Sequence, residues 1–346
     1  MSLKSEKYTL FIKLLIIKLN YAALATFARE VACVPTTNIF SLAFLLDYYR
    51  IYFKMKNLLQ KSITYGLYPF LLTVHILKCS LVIYYELDIK TFAMYIAAPQ
   101  FVLLLAIEFL LPAKQEWKMT WKSFFRDLKF GVSGITTLYI SRFGIGYLMI
   151  FLSEKNEGIL KGLPFVVGFI ITLLAYEFFL YWYHRLSHEM SGNVGGFLWR
   201  VHSIHHLPDK VYLIMHTVFH PLNAIAVSLI LQGVLVAAGV DSKSMYLLNT
   251  FVGLQGLFSH YNVDILAGFL NYIFVGTELH RFHHSADMNE SKNYGQIISI
   301  WDIVFGTFVY KPGVLPERLG VSEPSEYPHS SEYWKGFLLP FRATKR

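Results

Sequence analysis

The chain has 346 residues, 55% of them hydrophobic and 17% aromatic, and a formal net charge of +8. Its mean hydropathy of +0.43 is well above that of an ordinary soluble domain and argues against one. The charge is not a nucleic-acid footprint, because the basic residues lie between apolar runs rather than together on one polar face.

Residues 1–60 are the least legible part. Lys4, Lys7, Lys13 and Lys18 alternate with Leu, Ile and Phe, a pattern shared by an interfacial amphipathic helix, a first crossing and a targeting segment. The run from Val31 to Tyr49 is apolar enough to span a bilayer, but Pro35, Thr36, Thr37 and Asn38 interrupt it. This part is read as a membrane-associated N-terminal segment without chemistry of its own. Apolar runs of roughly 20 residues, the length of a bilayer crossing, follow at about 63–85, 92–112, 130–152 and 163–183. Two more, about 222–240 and 245–259, are joined by the short polar stretch Asp241 to Ser244 and read as a shallow hairpin. The expected fold is all-α: a multi-spanning integral membrane helical bundle with a cytoplasmic, histidine-rich di-metal cap. Residues 61–183 form its stem, 184–310 the histidine region including the hairpin 222–259, and 311–346 a polar C-terminal tail expected as a surface extension.

Charge sets the orientation. Residues 50–61 carry Arg50, Lys54, Lys56 and Lys61 without an acid, and 113–129 carry Lys114, Lys118, Lys122, Arg126 and Lys129 against Glu116 and Asp127. The other links are balanced or acidic, so the positive-inside rule puts these two in the cytoplasm. Four crossings return residue 184 to that side. A bacterial inner membrane and the endoplasmic reticulum satisfy the rule equally. Cys33 and Cys79, isolated in apolar surroundings, form neither a disulfide framework nor a thiolate site.

Eight of the 13 histidines fall in three clusters: His184 and His188; His202, His205 and His206; His280, His283 and His284. The helix 163–183 runs on into the first cluster, with Tyr181, Trp182 and Tyr183 at the membrane interface. Gly192, Gly195 and Gly196 are expected to break it. A second helical piece from Phe197 carries the middle cluster and stops near Pro208. Thr277 is expected to cap a third helix presenting the last cluster. Residues three and four apart share a helix face, whereas an adjacent His-His pair diverges by about 100°. One member of each pair can therefore serve each of two metals, and eight to ten imidazoles exceed what one ion accepts. Unligated, so many buried ring nitrogens would each cost roughly 1–3 kcal/mol. His75 and His329 are read instead as a core residue and a solvated one. His260 and His220, then His216, are the candidates to complete the ligand set. Glu177, seven residues before His184 and on the same face, is expected to accept a hydrogen bond from a ligand's second ring nitrogen. With Glu189 it makes the pair of candidate catalytic carboxylates.

Other chemistries fit less well. His188-Glu189 opens like a zinc-peptidase motif, but the second histidine would fall at Gly192. No G-x-S-x-G elbow is present. A haem electron carrier needs one histidine pair and leaves most of the clusters unexplained. A membrane zinc hydrolase or metal-structured scaffold using the same histidines remains the alternative.

The segments His184-Arg185-Leu186-Ser187-His188, Leu198 to His206 and His280-Arg281-Phe282-His283-His284-Ser285 resemble the histidine boxes of the fatty acid hydroxylase and sterol desaturase superfamily. His220-Pro221-Leu222, Ser259-His260, Asn293-Tyr294-Gly295, Trp301-Asp302 and Phe305 to Phe308 match its flanking signatures, and Glu108 to Pro112 its segment before the boxes. The resemblance, from about residue 92 to about 310, implies a helical stem under a cytoplasmic cap, two iron ions, O2 and an external reductant (a haem protein, ferredoxin or tetrahydrobiopterin). It implies a lipid substrate, sterol or fatty acyl in type, drawn from the bilayer and hydroxylated, oxidised or desaturated. It makes the eight box histidines ligands and His260 a ninth. Fatty acid hydroxylases tend to have another histidine four residues after the one matching His260; here that position is Asp264. Glu189 and the stretch Asn293 to Phe308 resemble the alkylglycerol monooxygenase branch, which cleaves ether lipids with tetrahydrobiopterin, whereas His220-Pro221 is more like the sterol methyl oxidases. Phe178, Phe179 and Phe219 are candidates to line the substrate's route.

Overall fold

The computed structural model describes residues 39–153, 158–239 and 242–342. The basic-apolar pattern of Lys4 to Lys18 and Cys33 lie outside the described residues. Within them there are helices and turns, three isolated β-bridges and no strand.

Six long helices occupy the apolar runs: α1 (Ile39–Tyr84), α2 (Ile89–Leu110), α3 (Trp121–Ser153), α4 (Phe165–Glu189), α6 (Pro221–Ala238) and α7 (Ser242–Ser259). The helices that complete the histidine region are short: α5 (Gly192–His206), α8 (Thr277–His283), α9 (Ile300–Val304) and α10 (Tyr333–Phe337). Among the described residues three helical stretches are long and apolar enough to cross a membrane: Tyr48–Tyr84, Phe165–Glu189 and Pro221–Ala238. Ala98–Leu110 and Leu247–Ser259 are shorter apolar helices. On α3, Tyr139, Ile140, Phe143 and Tyr147 stand exposed one turn after another. Such a stripe would be unfavourable against water and suits contact with hydrocarbon.

Packing places three apolar cores around the histidines. Tyr68, Leu71 and Leu104 meet Phe258 and Tyr261 in one, and Tyr176 and Leu180 of α4 meet Leu231, Leu235 and Leu248 in another. The third gathers Trp117, Phe130, Ile204, Tyr212, Leu319 and Leu339. Fully burying each such side chain from water is worth about 1.5–3 kcal/mol, a gain that does not extend to helix faces that would otherwise meet lipid.

Two local expectations are corrected. Gly195 and Gly196 do not break the helix but lie inside α5, and the interruption is only Met190–Ser191. Gly192 turns the chain at φ +79°, and a Cβ on Gly195 would fall 1.9 Å from the Met190 carbonyl oxygen, so two helices can meet almost end to end. The segment after residue 311 is not a surface extension. Trp199 donates to Tyr327 at 2.7 Å and the Gly320 amide to the His284 carbonyl at 2.9 Å, while Leu319 and Leu339 are buried in the third core. Its described helices, Pro324–Glu326, Tyr333–Phe337 and Leu339–Phe341, are too short for composition to mark them.

Candidate metal centre

The nine histidines of the boxes and residue 260 come from four places on the chain. His184 and His188 end α4, His202, His205 and His206 end α5, His260 follows α7, and α8 carries His280 and His283 with His284 at its C-cap. They sort into two groups, each with ring nitrogens within 4.8 Å of one another: His184, His188, His202, His206 and His283; and His205, His260, His280 and His284. The helical period decides the sorting. His202 and His206 share a face, as do His280 and His284, while His205 and His283 each turn to the other group. The groups abut, with the His206 ring stacked on that of His284 at 4.5 Å.

In the first group the Nε2 atoms of His184 and His202 stand 3.0 Å apart, and those of His206 and His202, and of His206 and His283, 3.1 Å. In the second, His260 Nε2 lies 3.0 Å from those of His205 and His280, and His284 Nε2 3.1 Å from the same two. Hydrogen bonds among the rings cannot account for this. A carbonyl only accepts, so His184 Nδ1 must donate to Tyr294 O (2.8 Å), His205 Nδ1 to Val218 O (2.8 Å) and His283 Nδ1 to Lys292 O (3.0 Å). Their Nε2 atoms are then lone pairs aimed at other ring nitrogens. A cation between them resolves the repulsion, and spacings near 3 Å suit nitrogens each roughly 2 Å from one ion. The all-imidazole donor set fits a transition metal.

Burial keeps these rings neutral, the form that ligates. It pushes His205 down to about 3, and His202, His206, His280, His283 and His284 well below 6.5, with neighbouring imidazoles adding to the effect for all but His205 as its second cause. For His205 the bond to Val218 opposes the shift.

The remaining candidates are placed elsewhere. His220 is in neither group: it caps α6, where Nδ1 accepts from the Leu222 amide at 3.0 Å and Nε2 donates to Phe337 O at 2.9 Å. Its proline neighbour fits a helix start, which explains a signature read as a ligand. Glu177 does not meet a ligand ring; one oxygen accepts the backbone amides of Gln296, Ile297 and Ile298. Glu189 lies at the surface, bound to Arg185 (2.7 Å), Lys292 (2.6 Å) and the Tyr294 hydroxyl (3.1 Å). Asp264 is exposed and supplies no further ligand. Thr277 is the first residue of α8 rather than its cap, and its hydroxyl donates to Phe258 O at 2.7 Å.

Several supporting residues carried no sequence signal of their own. Asn223 hydrogen-bonds His202 and accepts from the Tyr183 hydroxyl at 2.8 Å. Arg281, fully buried between two ligands of α8, donates to Tyr261 O and Val263 O and so ties α8 to the loop after His260. Asn293, Tyr294 and Asp302 were visible only as signatures without a role.

A cavity of about 230 Å³ opens onto His184, His202, His205, His260 and His280 and runs between α3, α4, α6 and α7. Leu138, Leu180, Val227, Leu231 and Val252 give it an apolar wall, and His216 faces it beside His260 without joining a group. Phe219 lines it. Phe178 packs on Trp301 instead and Phe179 is exposed, which corrects the expected route.

Two convergent imidazole groups, each able to hold a metal ion, stand at the head of an apolar, helix-walled cavity. Residues 169–307 match the fatty acid hydroxylase family model. The chain is 32% identical over 160 residues to the ornithine lipid hydroxylase OlsE of Rhizobium tropici, covering 46% of this chain and 47% of that protein. It is 30% identical over 139 residues to the alkylglycerol monooxygenase of Homo sapiens, covering 40% of this chain and 29% of that protein. The matches thus span half or less of these curated relatives. No solved structure matches the chain.

Proposed function

We propose that the protein is a membrane-embedded lipid oxygenase in which the nine histidines hold two iron ions and the apolar cavity receives a lipid chain. The observation that carries this reading is the pair of imidazole groups facing the cavity head. Iron so held supplies the activation of O2, with electrons from an external reductant, needed to oxidise an unactivated C–H bond. The protein's part is to orient and exclude. Tyr294 O, Val218 O, Lys292 O and Asn223 fix ring tautomers, and the apolar wall keeps water from the substrate carbon. The named activities of the two relatives, hydroxylation of ornithine lipid and oxidation of alkylglycerol, support a lipid substrate.

The same end of the molecule is read as cytoplasmic. Asn262, two residues from His260, bonds to the Lys114 carbonyl at 3.0 Å, which brings the basic link 113–129 beside the histidines. The positive-inside rule favours that side, where reductants are available.

The test is metal content and turnover on full-length protein purified in detergent from iron-replete cells. About two irons per chain and O2 uptake tied to a reductant and a lipid extract are expected. His205→Ala and His283→Ala each take one ligand from a different group, and each should lower activity at least 100-fold and metal content toward one. Lipid turnover without O2 or reductant would instead support a zinc hydrolase, and either variant at full activity would overturn the assignment.

A further inference from the structure

The stretch from Tyr294 to Ile298 crosses beside the five-histidine group, and its five consecutive backbone amides all point at two buried carboxylates. Tyr294 N donates to Asp302 Oδ1 at 2.7 Å and Gly295 N to Asp302 Oδ2 at 2.8 Å. Gln296 N and Ile297 N donate to Glu177 Oε2 at 3.0 Å and Ile298 N at 3.3 Å. Both carboxylates are 0% exposed. Successive amides converging on one oxygen form an anion-holding concavity, here filled by the protein's own side chains. The approach is close enough to require glycine at 295, where a Cβ would fall 2.5 Å from Ile298 O and 3.0 Å from Asp302 Oδ2.

The outcome at the site is the placement of one carbonyl. Tyr294 O is the acceptor that fixes His184 Nδ1, and Lys292 O, just before the clamped stretch, does the same for His283. Asn293 between them holds the left-handed φ of +61° through bonds from its side chain to Leu279 O and Val309 O. Two of the five rings thus take their orientation from a loop whose own position depends on Glu177 and Asp302. Burying two acids beneath one loop is a costly arrangement unless the loop must be held in one place.

We propose that Glu177 and Asp302 are positioning residues for the five-histidine group, acting through the backbone amides of residues 294–298 to set the Tyr294 carbonyl that orients His184. This rests on the reading that the group holds a metal ion. The two acids differ in a way that a test can use. Glu177 accepts through one oxygen, with no hydrogen-bond partner at Oε1, so Glu177→Gln keeps the acceptor. Asp302 accepts through both oxygens, with Thr307 Oγ1 also on Oδ1 at 2.7 Å, so Asp302→Asn must turn an NH2 toward a donor.

The experiment is a cobalt(II) titration of the metal-free full-length protein in detergent, followed by visible absorption, on wild type, Glu177→Gln, Glu177→Leu, Asp302→Asn and His184→Ala. Wild type and Glu177→Gln should bind two ions with affinities within about threefold of each other. Glu177→Leu and Asp302→Asn should weaken one site 10–100-fold and leave the other, as His184→Ala does, and combining Glu177→Leu with His184→Ala should add little. If Glu177→Leu fails to fold, the contrast between Glu177→Gln and Asp302→Asn carries the test. Two wild-type sites in Asp302→Asn, or a Glu177→Gln protein as impaired as Asp302→Asn, would overturn the proposal alone. A wild type that binds no cobalt would overturn the metal reading and the proposal with it.

Discussion

A buried imidazole that must stay neutral is a stability liability in acid, and the site contains many. The unfolded chain takes up a proton per histidine near pH 6.5, whereas burial holds the folded-state values of His202, His205, His206, His280, His283 and His284 below that. Between those limits the unfolded state binds more protons, so stability rises with pH and is lost as pH falls through 6.5. The melting temperature of the metal-free protein should be flat from pH 8 to 7 and drop by several degrees or more by pH 5, with bound metal opposing the drop. A flat profile down to pH 5 would mean that the rings are not held neutral. The two histidine groups were legible because helical spacing advertises a shared face, and the split of His205 from His206 and of His283 from His284 followed from the same geometry. Their second-nitrogen partners were not legible. Tyr294, Val218 and Lys292 contribute carbonyls, which every residue owns, and lie up to 110 positions away from the ring they orient.

Helices emerged at the expected apolar runs, but α1 begins at Ile39 and takes in the basic residues 50–61 expected as a link, α3 begins at Trp121 rather than near 130, and the joints between helices departed further. The glycine cluster after His188 shows why: composition marks a bend, but only packing says that the bend occupies two residues and that Gly195 lies within the next helix. Replacing Gly195 with Ala forces its Cβ against the Met190 carbonyl, and since backbone cannot give way as a flexible side chain does, α4 and α5 must separate. The expected effect exceeds the roughly 1–3 kcal/mol of ordinary overpacking, and it should show as a lower melting temperature together with weaker metal binding, because His188 and His206 sit on opposite sides of that joint. Gly233→Ala, where a Cβ meets nothing within 4 Å, is the matched control and should be neutral or slightly stabilising. An unchanged melt in Gly195→Ala would mean that the joint has slack. The C-terminal segment failed to declare itself for the complementary reason. It is held by single long-range contacts, such as those of Tyr327 and Leu339, and its described helices span five residues or fewer.

At the largest scale, within residues 63–342, apolar side chains stand exposed on the long helices while the histidines are gathered at the head of an apolar cavity, an arrangement that suits the proposed lipid substrate. The proposed chain would lie along the cavity. Its wall runs on α4 from His184 back to Tyr176 and on α6 from Asn223 forward to Leu231, the two helices pointing in opposite directions. Eight residues of helix correspond to about 12 Å, so the apolar wall offers contact along roughly that length. Leu231 marks the far end of that wall, so Leu231→Trp should shorten the slot while leaving every histidine in place. On a lipid series differing only in chain length, the variant should favour chains shorter by a few carbons and lose at least tenfold in kcat/KM on the longest, with metal content unchanged. An unaltered length profile would show that the chain enters by another path, whereas uniform loss across the series would point to damage at the helix packing rather than to a shortened slot.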